Sequence, residues 1–185
     1  PKKRKHLIGK GVTCQMMNKK EKILSKILQM LDFSSVDPST FENRLIYQKT
    51  IYLLQFSGIS LGYRFNWYIR GPYSPELTET IYKIDNDRSI FSEGSSIRFK
   101  DQDEIEQKTG FFLETLAGNA KNPEFLEVLA SIAYIKENDS AYRNLGNNLK
   151  TRLLKLKPFV KDFDNFDQLY DSAIKSLKTL SGMNA

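Results

Sequence analysis

Beyond residue 15 the chain has no histidine and no cysteine; His6 and Cys14, the single member of each type, both lie in the first fifteen residues. That excludes from the body Ser-His and Cys-His nucleophilic catalysis, zinc held by cysteine or histidine, and imidazole acid–base chemistry. One cysteine also excludes an internal disulfide. No G-x-x-x-x-G-K-[ST] or G-x-G-x-x-G occurs, so there is no phosphate-cradling loop to point to. No apolar run approaches the roughly 18 residues that a membrane helix needs. The basic amino terminus lacks the apolar core of a signal peptide. A cytoplasmic protein without a membrane partner is the expectation, and no cofactor is implied.

What is present suits a globular domain: 185 residues, 40% hydrophobic and 12% aromatic. The net charge of +6 is unevenly placed. Residues 1–26 hold nine of the 28 Lys/Arg and one of the 22 acids, which leaves 19 basic and 21 acidic residues beyond them, a net of −2. Residues 1–15 read as a basic flexible tail, and 16–185 as a single domain. Met16-Met17 resembles the start of a bacterial protein, so the tail is expected to be an upstream extension or non-native sequence. Its cluster Lys2, Lys3, Arg4 and Lys5 resembles a nuclear-import signal and also fits a phosphate-contacting arm or a solvated tail.

The most informative stretch is Phe41 to Tyr82, which holds six of the nine tyrosines and the only tryptophan. Phe41, Leu45, Gln48, Tyr52 and Gln55 fall on one helical stripe, with Thr40 as cap and Ser57-Gly58 as stop. From Leu61 the period changes to two. Leu61, Tyr63, Phe65, Trp67 and Ile69 share one strand face; Gly62, Arg64, Asn66, Tyr68 and Arg70 share the other. Gly71-Pro72 is expected to end that strand. Ser74 then caps a helix opened by Pro75 and Glu76 and carrying Leu77, Ile81 and Ile84 inward.

Elsewhere the spacing predicts a first helix over 19–31 and a hairpin in which Ser89-Ile90-Phe91 and Ile97-Arg98-Phe99 flank Glu93-Gly94-Ser95-Ser96. Further helices are expected over 101–116, from Pro123 to about Lys136, from Ser140 to Pro158 through Leu145, Leu149, Leu153 and Leu156, and from Asp164 or Asn165 onward. The fold class is therefore mainly α with a small antiparallel β element. Three helices followed by a hairpin is a winged-helix-like element order, an analogy that settles no function.

Several of these pieces resemble the Panacea domain and the related YwgA-like proteins of bacteria and archaea. They are the tyrosine-rich helix with Gln48-Lys49, the aromatic strand, the turn Gly71-Pro72-Tyr73-Ser74-Pro75-Glu76-Leu77, the helix from Phe125 to Tyr134, and Lys155-Leu-Lys-Pro-Phe159. The resemblance covers roughly 19–180. It implies a small, mostly helical domain without known catalysis, of which some bacterial members look like antitoxins.

The carboxylates Asp101, Asp103, Glu104 and Glu106 suit a helix start, where the dipole favours acids; the other reading is a Mg²⁺ site in a metal-dependent nuclease. Tyr63, Phe65 and Trp67 read as core, while Arg64, Tyr68 and Arg70, with Tyr73 beyond and Lys49 on the preceding helix, form a candidate partner-binding surface. Arg143, Lys150, Arg152, Lys155 and Lys157 read as a solvated basic helix face. The first function expectation is a non-enzymatic interaction or regulatory module, antitoxin- or adaptor-like, whose partner is a protein such as a cognate toxin. The alternatives are a winged-helix-type nucleic-acid binder using the basic arm, and the carboxylate-metal nuclease.

Overall fold

A computed structural model of the chain describes residues 11–33, 37–140 and 148–183. Among these are eight α-helices, one short 3₁₀ turn and one two-stranded antiparallel sheet, so the chain is mainly α with a small β element. The helices are α1 (Gly11–Met30), α2 (Phe41–Phe56), α3 (Pro75–Asn86), α4 (Arg88–Ser95), α5 (Gln102–Thr115), α6 (Pro123–Asn138), α7 (Leu149–Leu156) and α8 (Phe166–Gly182). The 3₁₀ turn spans Pro158–Asp162, and the strands are β1 (Asn66–Tyr68) and β2 (Gly71–Tyr73). The basic cluster Lys2–Lys5, Arg143 and Leu145 lie outside the described residues.

The core is built around α6. Its run from Phe125 to Ile135 is apolar on nearly every side, the pattern of a helix surrounded by protein, and α2, β2, α7 and α8 all pack against it. Asn122 caps it by accepting from the Phe125 N–H, with Pro123 at the first position. The α2 ends also follow the expectation. Thr40 accepts from the Asn43 N–H, and the Gly58 and Ile59 N–H groups close back on the Gln55 and Leu54 carbonyls, each at 3.1 Å. Ser74, Pro75 and Glu76 open α3 as expected, and Leu77, Ile81 and Ile84 are buried.

Three expectations are corrected. First, α1 begins at Gly11 instead of Lys19, inside the segment expected to be an irregular tail; between Val12 and Met30 there is no proline or glycine to stop it. Second, the long strand is short. Leu61, Tyr63, Phe65 and Trp67 do turn inward while Gly62, Arg64, Asn66 and Tyr68 face out, but only Asn66–Tyr68 pairs in a sheet. The side-chain amide of Gln55 takes the place of a neighbouring strand: its oxygen accepts from the Leu61 and Tyr63 N–H groups and its nitrogen donates to the Tyr63 carbonyl. Ile69, expected inward, is 82% exposed because the chain turns at Ile69-Arg70, and Gly71-Pro72 opens the second strand instead of ending the first.

Third, the hairpin expected over 89–99 is helix α4, so the winged-helix element order is not observed. Asp87 caps it by accepting from the Ser89 N–H at 3.0 Å. The Ser25 hydroxyl and the Gln29 amide, both on α1, donate to the Phe91 carbonyl at 3.3 and 2.7 Å. Gly94, which reads as a turn residue, is a contact residue: a Cβ there would lie 2.7 Å from Ser25 Oγ and 3.1 Å from the Lys22 carbonyl oxygen. Its missing side chain lets α4 approach α1 closely.

A matched pair of substitutions tests that packing. Gly110, in the middle of α5, has open space where its Cβ would be. Gly110→Ala is expected to stabilise the protein by about 0.5–1 kcal/mol in urea unfolding, the ordinary helix-propensity gain. Gly94→Ala is expected to destabilise it by about 1–3 kcal/mol, since α4 and α1 must part to admit the methyl group.

Candidate functional site

The hairpin β1–β2 has two faces that do different work. On one, Trp67 packs on Tyr134 of α6, ring centroids 5.5 Å apart. On the other, Tyr68 and Tyr73 meet edge to face at 5.2 Å. That second face walls an open cleft of about 540 Å³ between α2, the hairpin and α3. From α2 come Phe41, Arg44, Gln48 and Lys49; from the hairpin Tyr68, Ile69, Arg70 and Tyr73; from α3 Thr78 and Tyr82.

Two neighbouring residues of α2 hold the hairpin in place. The Gln48 amide donates to the Ser74 carbonyl at 2.9 Å and accepts from the Ser74 N–H at 2.8 Å. Lys49 Nζ donates to the Pro72 carbonyl at 2.7 Å. Both side chains are buried, Lys49 to 2% exposure, and both satisfy backbone groups that a two-stranded sheet would leave without partners at its edge.

Beneath β2 lies an ionic cluster whose Glu127 and Lys157 are buried and whose Arg70 is half exposed. Glu127 and Ser131 stand one turn apart on α6 and so share a stripe. Lys157 Nζ donates to Glu127 Oε1 and, at 3.1 Å, to Ser131 Oγ. Glu127 Oε2 accepts from Arg70 Nη1 at 3.2 Å, and the Arg70 guanidinium stacks 4.6 Å from the Phe159 ring centre and 5.6 Å from that of Phe41. Lys157 is placed by Pro158. The residue before a proline is disfavoured in the helical conformation, so α7 ends and Lys157 turns to φ −139° beneath the hairpin.

Gly71 is where this cluster meets the backbone. With φ at +84°, a Cβ on it would lie 2.6 Å from Ser131 Oγ, 3.6 Å from Lys157 Nζ and 3.8 Å from Lys49 Nζ. Two lysine ammonium groups thus converge on one glycine, with Arg70 beside them and Glu127 as the carboxylate that answers them. Burial, and next the charge of Lys157, lower the Lys49 pKa to about 7. Burial lowers that of Lys157 to about 8, against the opposing pull of Glu127.

Of the residues expected to bind a partner, Lys49, Tyr68, Arg70 and Tyr73 come together at this cleft, and Arg64 does not; it lies exposed on the extended segment before β1. Lys49 is at the cleft floor, not on its rim. Lys157 corrects the reading of a solvated basic face, being fully buried, while Arg152 pairs with Asp139 at 2.6 Å and Lys150 with Asp167 at 2.8 Å. Sequence reasoning missed Glu127, Phe41, Arg44 and Tyr82. Glu127 alone left a signal, as the charged residue inside an otherwise apolar helical run. Two of the four acids at the start of α5 are engaged locally: Glu104 pairs with Lys108 at 2.6 Å, and Glu106 accepts from Gln102 at 2.5 Å. Among the described residues no three His, Cys, Asp or Glu side chains are grouped to hold a metal ion, and no helix is long and apolar enough to cross a membrane.

Comparison with family models, with curated proteins and with solved structures returned no match. The functional reading therefore rests on the chemistry of the cleft.

Lys49 carries a pH signature. Below about pH 7 the lysine is protonated in folded and unfolded chains alike; between about 7 and its ordinary value of 10.5 only the unfolded chain holds the proton. The unfolded state binding more protons means that stability rises with pH across that window. The urea midpoint of the wild type is expected to rise from about pH 6 to about pH 9, and that of Lys49→Met to rise less over the same range. Identical slopes would mean that Lys49 is not held as described.

Proposed function

We propose that the chain is a non-enzymatic interaction module that binds a partner protein through the aromatic cleft, in the manner of an antitoxin or an adaptor. One observation carries this reading. Of the five large hydrophobic side chains left exposed among the described residues, Phe41, Tyr68, Ile69 and Tyr82 line this cleft, and Phe111 lies apart on α5. Exposed apolar groups gathered in one concave place mark a binding surface, and tyrosine and arginine are enriched where binding energy concentrates. The resemblance to Panacea and YwgA-like proteins supports the same class. The nucleic-acid alternative has less behind it, because α4 stands where the wing was expected.

The experiment is a pull-down from cells of the native source with three proteins: the wild type, a variant with Phe41, Tyr68, Ile69 and Tyr82 changed to alanine, and Phe111→Ala. All five positions are exposed, so folding is expected to survive, and circular dichroism checks it. A stoichiometric protein held by the wild type and Phe111→Ala but lost from the cleft variant is the expected result. Equal retention by the wild type and the cleft variant, or no retained protein at all, would remove the reading.

A further inference from the structure

The cleft is also charged on one side only. Its lining contains Arg44, Lys49 and Arg70 and no carboxylate. Arg44 is already used, donating to the Pro38 and Ser39 carbonyls at 3.0 and 2.6 Å and so bracing the loop ahead of α2. Arg70 shares its single carboxylate, Glu127, with Lys157. Lys49 has no ion-pair partner among the described residues, and its hydrogen bond to the Pro72 carbonyl uses one of three ammonium donors. Three cations, Lys49, Lys157 and Arg70, thus surround one acid, and the one without an ionic partner lies on the cleft floor.

We infer that Lys49 and Arg70 form a seat for a carboxylate, and that the segment of the partner protein entering the cleft carries an acidic group on an otherwise apolar stretch. This rests on the interaction-module reading and adds the chemistry of the occupant. Charge complementarity selects the acid, because a buried ammonium with unused donors favours an anion that hydrogen-bonds it over a neutral group. The walls select the apolar neighbours, Tyr68 and Tyr73 from the hairpin and Phe41 and Tyr82 from the helices. The volume of about 540 Å³ lies within the range of sites that enclose a small ligand or a few side chains. The groups facing Lys49 Nζ are Lys157 at the end of α7, Glu127 on α6 and Arg70 in the turn; a seated carboxylate offsets the repulsion from the two cations and returns to Lys49 the proton that burial makes it hold loosely.

The test uses a matched pair of probes, 3-phenylpropanoate and its uncharged amide, titrated by calorimetry into the wild type, Lys49→Met and Tyr68→Ala. The acid is expected to bind the wild type about tenfold more tightly than the amide, a charge-assisted hydrogen bond's share of affinity. Lys49→Met is expected to weaken the acid about tenfold more than the amide and so abolish that preference, while Tyr68→Ala weakens both alike and keeps it. Methionine matches the length of the lysine stem, and thermal unfolding verifies that the variant folds. Equal binding of acid and amide, an acid preference that survives Lys49→Met, or no saturable binding of the acid at millimolar concentration would each overturn the inference. The pull-down separates this failure from that of the parent reading: a partner lost from the aromatic variant but fully retained by Lys49→Met leaves the interaction module standing and removes the carboxylate seat.

Discussion

The structure depends on one buried carboxylate. Glu127 projects from the most apolar helix of the chain and binds Lys157 and Arg70 together, the first from the end of α7 and the second from the hairpin turn. Removing charges from water costs several kcal/mol per ion, so such a cluster persists only where geometry and hydrogen bonds compensate. Here they do. Ser131 takes a further donor of Lys157, the Phe159 ring lies 5.4 Å from its ammonium, and Gly71 lacks the side chain that would displace it. Four separate pieces of chain, α2, the hairpin, α6 and the α7–3₁₀ junction, are fixed to one another at this point.

The second constraint is the hairpin's own poverty of partners. Three residues pair with three, far fewer than a sheet needs to stand alone. The missing hydrogen bonds come from side chains of α2: Gln55 serves the Leu61–Tyr63 backbone, Gln48 serves Ser74, and Lys49 serves Pro72. This is why polar residues occupy the buried side of an amphipathic helix. The same arrangement shapes the cleft, since holding β2 against α2 from within turns Tyr68, Ile69 and Tyr73 outward against Phe41 and Tyr82. The interior thus determines the surface offered to a partner.

Much of this was legible in the sequence because it is written locally. Thr40, Ser57-Gly58, Ser74-Pro75 and Asn122-Pro123 mark helix ends through groups that act on their own neighbours, and each boundary appears where those residues put it. The stretch 89–99 was misread because Gly94 answers to α1, some 70 residues away, and not to a turn. Lys157 was misread for the same reason: Lys150, Arg152 and Lys155 before it make the stretch read as a basic face, while its carboxylate lies 30 residues earlier on α6. The alternation from Leu61 to Trp67 was real, but a side-chain amide replaced the strand that alternation suggests. Of the residues expected on the partner surface, Tyr68 and Arg70 from the strand, Tyr73 beyond it and Lys49 from the preceding helix line the cleft. Arg64 shares the outward face of Tyr68 but lies on the unpaired segment before β1, away from it.

The most direct measurement is a double-mutant cycle on Glu127 and Lys157, using Glu127→Gln, Lys157→Met and the double variant in urea unfolding. If one carboxylate holds the cluster together, Glu127→Gln alone costs about 3–5 kcal/mol, because it leaves buried cations unanswered. The double variant then falls short of the sum of the two singles by about 1–3 kcal/mol. Additive losses, or a cost for Glu127→Gln no larger than that of a surface substitution, would contradict the account.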